Sequence, residues 1–143
     1  MNKKIFFIGI LCIITILIIS SYFALSNMSK SYKVFPKEYK VYELENYERF
    51  TPKKSDITKY NGIIEEFISS KKEVRELTDY NVQYFGFIDE NGHKNILGNY
   101  ICKENQDIGW TKDLFLVLDG GNCYFNLKVD LDQSNVFDFQ VNK

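Results

Sequence analysis

The sequence predicts an α+β protein: an N-terminal transmembrane helix, then one amphipathic helix packed on an antiparallel β-meander of four or five strands. Three observations carry that prediction. Ile57, Tyr60, Ile63, Ile64, Phe67 and Ile68 recur at three- and four-residue spacing, which lines one face of a helix. From Tyr80 onward, apolar and alternating runs are separated by Asn91-Gly92, Asp119-Gly120-Gly121-Asn122 and Asp132-Gln133-Ser134-Asn135, the pattern of strands joined by turns. Ahead of both, Ile5 to Ile19 is apolar except for Gly9, Cys12 and Thr15, and no charge intervenes between Lys4 and Lys30.

The N-terminal segment is long enough to cross a membrane. At about 1.5 Å per helical residue, Ile5 to Leu25 spans roughly 30 Å, the thickness of a hydrocarbon layer. Residues 1–26 are therefore read as a signal-anchor, held in the membrane through residues 5–25. Ala24 and Ser26 also fit the small positions of a signal-peptidase site, so cleavage after Ser26 stays open beside the uncleaved anchor. Lys3 and Lys4 precede the span, but Lys30, Lys33, Lys37 and Lys40 follow it. That count does not favour export. Export is chosen on the form of the segment, a basic head followed at once by an apolar core. The expected location is the bacterial inner membrane, single pass, with the C-terminal domain outside the cytoplasm.

Residues 27–54 are a spacer punctuated by Pro36 and Pro52, whose Tyr39, Val41, Tyr42, Leu44, Tyr47 and Phe50 are apolar enough to pack partly on the domain. The domain itself is 55–143. Ser55 or Asp56 caps its helix, which runs to about Ser69. Leu114 to Leu118 is apolar on both faces and is expected to be a central strand. Cys123 to Asp130 alternates as a half-buried strand, and Phe137, Phe139 and Val141 alternate to the end.

Composition limits the function. With 18 basic and 19 acidic side chains the net charge is −1, and no basic concentration suggests nucleic acid. Twelve Phe and ten Tyr against two Pro suit a packed sheet rather than disorder. No catalytic residue, cofactor site or metal site is expected. The single histidine, His93, follows Asn91-Gly92 in a turn, where a solvated side chain is expected. Two cysteines and one histidine outside the anchor fall short of a closed four-ligand metal site. Cys102 and Cys123 form a candidate disulfide or two buried thiols. In a plain meander they fall at opposite ends of the central strand, beyond the roughly 7 Å Cα separation that a bridge tolerates.

Tyr84-Phe85-Gly86, Asn99-Tyr100-Ile101-Cys102, Trp110, Asp119-Gly120-Gly121-Asn122-Cys123-Tyr124-Phe125 and then Phe137, Phe139 and Asn142 resemble a group of small bacterial exported or anchored α+β proteins. The resemblance covers about residues 55–143 and implies fold and compartment, with no catalytic residue carried over. The layout is also similar to cystatin-like and nuclear-transport-factor-like helix-on-sheet folds. The Gln-x-Val-x-Gly loop of cystatins is absent, since Gln83-Tyr84-Phe85-Gly86-Phe87 has other spacing.

Two functions remain open. The first is a non-enzymatic membrane-tethered binding module of the envelope, such as an immunity-type protein that neutralises a toxin. The alternative is a small envelope hydrolase, or another enzyme whose site assembles only in three dimensions. Partner-binding candidates are Trp110, Tyr124, Tyr100 and Tyr84. Trp110 sits in the longest loop of the sheet region, and indoles are enriched at binding hot spots. Tyr124, Asn126 and Lys128 are expected on the sheet face away from the helix, beside Tyr100 or Tyr84. They either meet a partner there or pack beneath residues 32–50.

Overall fold

The computed structural model describes residues 32–104, 109–115, 117 and 119–142. The proposed membrane segment lies outside them. Among the described residues no helix is long and apolar enough to cross a membrane. The described chain is α+β, with one helix packed on a mixed six-stranded sheet: β1 (Tyr32–Val34), β2 (Glu48–Phe50), α1 (Lys54–Ser69), β3 (Tyr80–Ile88), β4 (Lys94–Cys102), β5 (Tyr124–Asp130) and β6 (Asn135–Val141).

The helix follows its apolar stripe. Ile57, Tyr60, Ile64 and Ile68 are buried, while Ile63 and Phe67 pack at the edge of the same core. Asp56 accepts the Lys53 backbone N–H at 2.8 Å, which satisfies one of the donors a helix start leaves over. At the other end Ser69 and Ser70 turn their hydroxyls back onto the Glu66 and Phe67 carbonyls at 2.7 and 2.8 Å.

The sheet is not a plain antiparallel meander of four or five strands. β3, β4, β5 and β6 pair antiparallel in chain order. The spacer adds two three-residue strands along the other edge of β3: β1 runs parallel to it at Val82–Tyr84, and β2 antiparallel at Gly86–Ile88. Leu114, Phe115 and Val117 are in no strand, so the expected central strand is corrected: β4 pairs directly with β5 from Ile101↔Tyr124 to Asn95↔Asp130. The strands covered on both faces are β3 and β4, almost wholly buried.

Register divides the side chains between two cores, because neighbours along a strand point to opposite faces. Tyr80, Val82 and Tyr84 of β3, Ile96, Tyr100 and Cys102 of β4, and Phe125, Leu127 and Val129 of β5 pack with the helix stripe. The Tyr100 and Phe125 rings stack 4.2 Å apart, and Tyr80 meets Phe125 edge-on at 5.0 Å. On the opposite face Phe85, Phe87 and Leu97 pack beneath Phe35, Val41 and Leu44. Residues 35–47 thus cover that face, the second of the two fates open to it. Tyr84 and Tyr100 are 2% and 1% exposed on the helix side. They therefore do not flank Tyr124, which corrects their expected place on the open face.

Gly98, opposite Tyr84 on β3 and Leu127 on β5, marks where the helix docks. A β-carbon there would collide with the Tyr60 hydroxyl and lie 2.8 Å from its Cζ. Gly98→Ala is expected to cost about 1–3 kcal/mol of stability through overpacking, read as a lower midpoint of urea unfolding. An unchanged midpoint would mean that Tyr60 does not fill that position.

Candidate functional site

Two places away from the helix-side core bring side chains together, and both depend on the pairing just described. The first is a concavity of about 600 Å³ in the covering segment, lined by residues of 37–49. Two of its lining rings pack on the core behind it: Tyr39 lies 4.5 Å from Phe35, which stacks on Phe85 with centroids 4.7 Å apart, and Tyr47 lies 5.0 Å from Phe87. The Arg49 guanidinium ties the covering segment to β3. Its Nε donates to the Gly86 carbonyl at 2.7 Å and its Nη1 to the Tyr39 carbonyl at 3.1 Å. Its buried Nη2 has no partner among the described residues, and burial lowers its pKa. On the rim Tyr42 is 86% and Tyr47 40% exposed.

The rim is pinned from β5. Lys128 reaches Glu43 at 2.5 Å and Asp138 at 2.7 Å. Burial works against the Lys128 charge, but its hydrogen bonds to Asp138 and Glu43 outweigh that and raise its pKa. Glu43 adjoins Tyr42, so this ion pair ties the backbone that carries the exposed ring to β5. Tyr39 extends the network by accepting the Leu114 N–H on its hydroxyl at 2.7 Å.

The second place is the turn end of the sheet. Gly92, at φ +83°, closes the β3–β4 hairpin with its N–H on the Asp89 carbonyl at 3.0 Å; a positive φ of this kind costs glycine nothing. His93 is not merely solvated there. Its Nδ1 lies 2.9 Å from Asp130 Oδ2 and 3.8 Å from Asp89 Oδ2. Asp130 starts the β5–β6 turn, and β4–β5 pairing sets the two turns side by side. Hydrogen bonds from the backbone of His93 and Asn91 hold the Asp89 carboxyl below its ordinary pKa.

The other sequence candidates take structural places. The structure joins Cys102 to Cys123 in a disulfide, with Cα atoms 4.8 Å apart. The geometric objection disappears because these residues continue the β4–β5 register one step past Ile101↔Tyr124. Closing a loop of this length stabilises by about 3 kcal/mol in the chain-entropy account. Arg75 braces the same end, on Glu104 at 2.9 Å and Asn122 Oδ1 at 3.4 Å. Half-buried Trp110 contributes its backbone: its carbonyl accepts from Gln83 Nε2 at 2.5 Å. Half-buried Tyr124 has its ring 5.8 Å from that of Phe115. Neither residue lies among those lining the concavity.

Sequence reasoning passed over Tyr42, Tyr47 and Arg49, because aromatic spacing within the spacer signalled packing and not presentation. It also passed over Asp89 and Asp130, whose approach to His93 depends on which strands pair. No known protein family, curated protein or solved structure matches the chain.

Asp89 and Asp138 share one electrostatic consequence. The hydrogen bond from Lys128 is the first cause of Asp138's lowered pKa, and that of Asp89 is lowered as described. A carboxyl whose folded pKa lies below its unfolded value binds fewer protons when folded, so stability falls as pH drops from the unfolded value of about 4 through the folded one. Urea midpoints are expected to decline steeply below about pH 4, with a shallower decline in Asp138→Asn. Equal slopes in the two proteins would remove Asp138 from this account.

Proposed function

We propose that this chain is a non-enzymatic, membrane-tethered binding module of the bacterial envelope, of the immunity type that captures an incoming protein toxin. The observation that carries the reading is the Tyr42–Tyr47 rim. Among the described residues only Tyr42, Tyr47 and Phe137 are exposed large hydrophobic side chains, and Tyr42, at 86%, stands far beyond the other two and lines the concavity. Rigid aromatic rings at such a rim bury a large area on contact at little entropic cost. The Glu43–Lys128–Asp138 pairing supports it, since a held platform loses less freedom on binding than a loose one.

Two further features support the tethered, exported part of the reading. The uncharged apolar run from Ile5 to Leu25 suits an anchor. The Cys102–Cys123 bridge suits an oxidising compartment.

The test combines topology and contact in living cells. A phosphatase fused after Lys143 is expected to be active, as only export allows. A photo-crosslinking residue at Tyr42 is expected to yield one discrete protein adduct, at least tenfold weaker in a Tyr47→Ala background. The same residue at Lys72 is expected to give none. An inactive phosphatase would remove the exported part of the reading, and identical adducts from positions 42 and 72 would remove the binding part.

A further inference from the structure

We propose that Asp89, His93 and Asp130 form a binding site for a first-row divalent cation of the Zn²⁺ or Mn²⁺ class. The site lies on the β3–β4 and β5–β6 turns and shares no residue with the concavity.

One imidazole nitrogen and one oxygen from each carboxylate all lie within 4.8 Å of one another. Measured from His93 Nδ1, Asp130 Oδ2 is at 2.9 Å and Asp89 Oδ2 at 3.8 Å. Donors around a cation with ligand distances of about 2.1 Å stand roughly 3–4 Å apart; both separations from Nδ1 fall near that range, and the widest in the set, up to 4.8 Å, closes with a small rotation of an Asp side chain. A cation there takes the place of the direct contact between His93 Nδ1 and Asp130 Oδ2.

The carboxylates are held as ligands usually are, by hydrogen bonds to the oxygen that faces away from the ion. Asp89 Oδ1 accepts the N–H groups of Asn91 and His93, both at 2.9 Å. Asp130 Oδ1 accepts those of Asp132 and Gln133 at 2.8 and 2.9 Å. Each Oδ2 is thereby left toward the imidazole. The side chains of His93, Asp89 and Asp130 are 31%, 22% and 11% exposed, enough for an ion to enter.

A separate observation comes from Asn95, which is 0% exposed. Its amide is turned toward the same cluster: Nδ2 donates to the His93 carbonyl at 2.9 Å, and the side chain is in hydrogen-bonding reach of the Asp89 carboxylate. Its Oδ1 is buried with no partner among the described residues, a state native proteins seldom tolerate. Through Nδ2 the Asn95 amide braces the His93 carbonyl and the Asp89 carboxylate that frame the site. Three protein ligands leave coordination positions open. An imidazole nitrogen beside two carboxylates selects Zn²⁺ or Mn²⁺ over the all-oxygen preference of Ca²⁺.

The test uses the full chain, disulfide intact, purified metal-free in detergent micelles. Zn²⁺ affinity is read by competition with a chromophoric chelator, and melting is followed with and without Zn²⁺. The wild type is expected to bind one equivalent and to melt higher with Zn²⁺ present. His93→Gln and Asp89→Asn are expected to lose about tenfold or more in affinity, while each still melts cooperatively without metal. Asp89→Asn keeps an Oδ1 for the two N–H groups, so loss of binding there is not loss of the turn. Absence of saturable binding up to about 1 mM Zn²⁺, or equal binding by both variants and wild type, would overturn the site. Ca²⁺ binding as tight as Zn²⁺ and indifferent to His93→Gln would overturn the cation class.

Discussion

Direct pairing of β4 with β5 is the constraint on which the other arrangements rest. It sets Cys102 beside Cys123, it aligns Tyr100 with Phe125 under the helix, and it brings Asp130 to the turn that carries His93. Had another strand lain between them, none of these groups would meet, since sheet neighbours are separated by about 4.8 Å and second neighbours by twice that. The pairing also gives the sheet two apolar faces. The helix covers one and the chain ahead of it covers the other, so β3 and β4 become the buried centre.

A polar row across that centre keeps the covering segments in place. Gln83, Asn99, Asn126 and Gln140 are register partners from β3 to β6. Gln83 is 0% exposed. Its Nε2 donates to the Trp110 and Asp113 carbonyls, and its Oε1 accepts from Asn99 Nδ2 and the Phe115 N–H. Asn99 Nδ2 also donates to the Phe115 carbonyl at 2.7 Å. Buried amides of this kind are costly unless satisfied. Here they satisfy a segment outside the ladder, at the Trp110, Asp113 and Phe115 backbone, and so replace strand hydrogen bonds that Phe115 forgoes.

That exchange explains which parts of the fold were legible in the sequence. The helix was, because Ile57, Tyr60, Ile64 and Ile68 repeat with its period. So was the β3–β4 hairpin, because Asn91-Gly92 admits few alternatives. Leu114 to Leu118 was not: a short apolar run reads alike whether it pairs as a strand or lies over one. The discriminating signal was the inward Gln83 and Asn99, polar side chains able to bond a neighbouring backbone. β1 and β2 were invisible because three residues carry no periodicity. Of the two candidate sites, the sequence showed His93 only as a turn residue and the rim tyrosines only as packing residues of the spacer. Their neighbours were not legible, since Asp130 and Lys128 reach them only through long-range register.

The same architecture separates the proposed binding rim from the helix-side core. Tyr84 and Tyr100 hold the helix core, whereas Tyr42 and Tyr47 stand outside it on a segment pinned by Arg49 and Lys128. The most direct test of the account is an NMR measurement of backbone proximity between β4 and β5 in the folded chain. It predicts strong cross-strand nuclear Overhauser effects between Tyr100 and Phe125 and between Gly98 and Leu127. Finding instead that β4 contacts the Leu114–Leu118 segment as its neighbouring strand, with no effects to β5, would contradict the pairing and everything built on it.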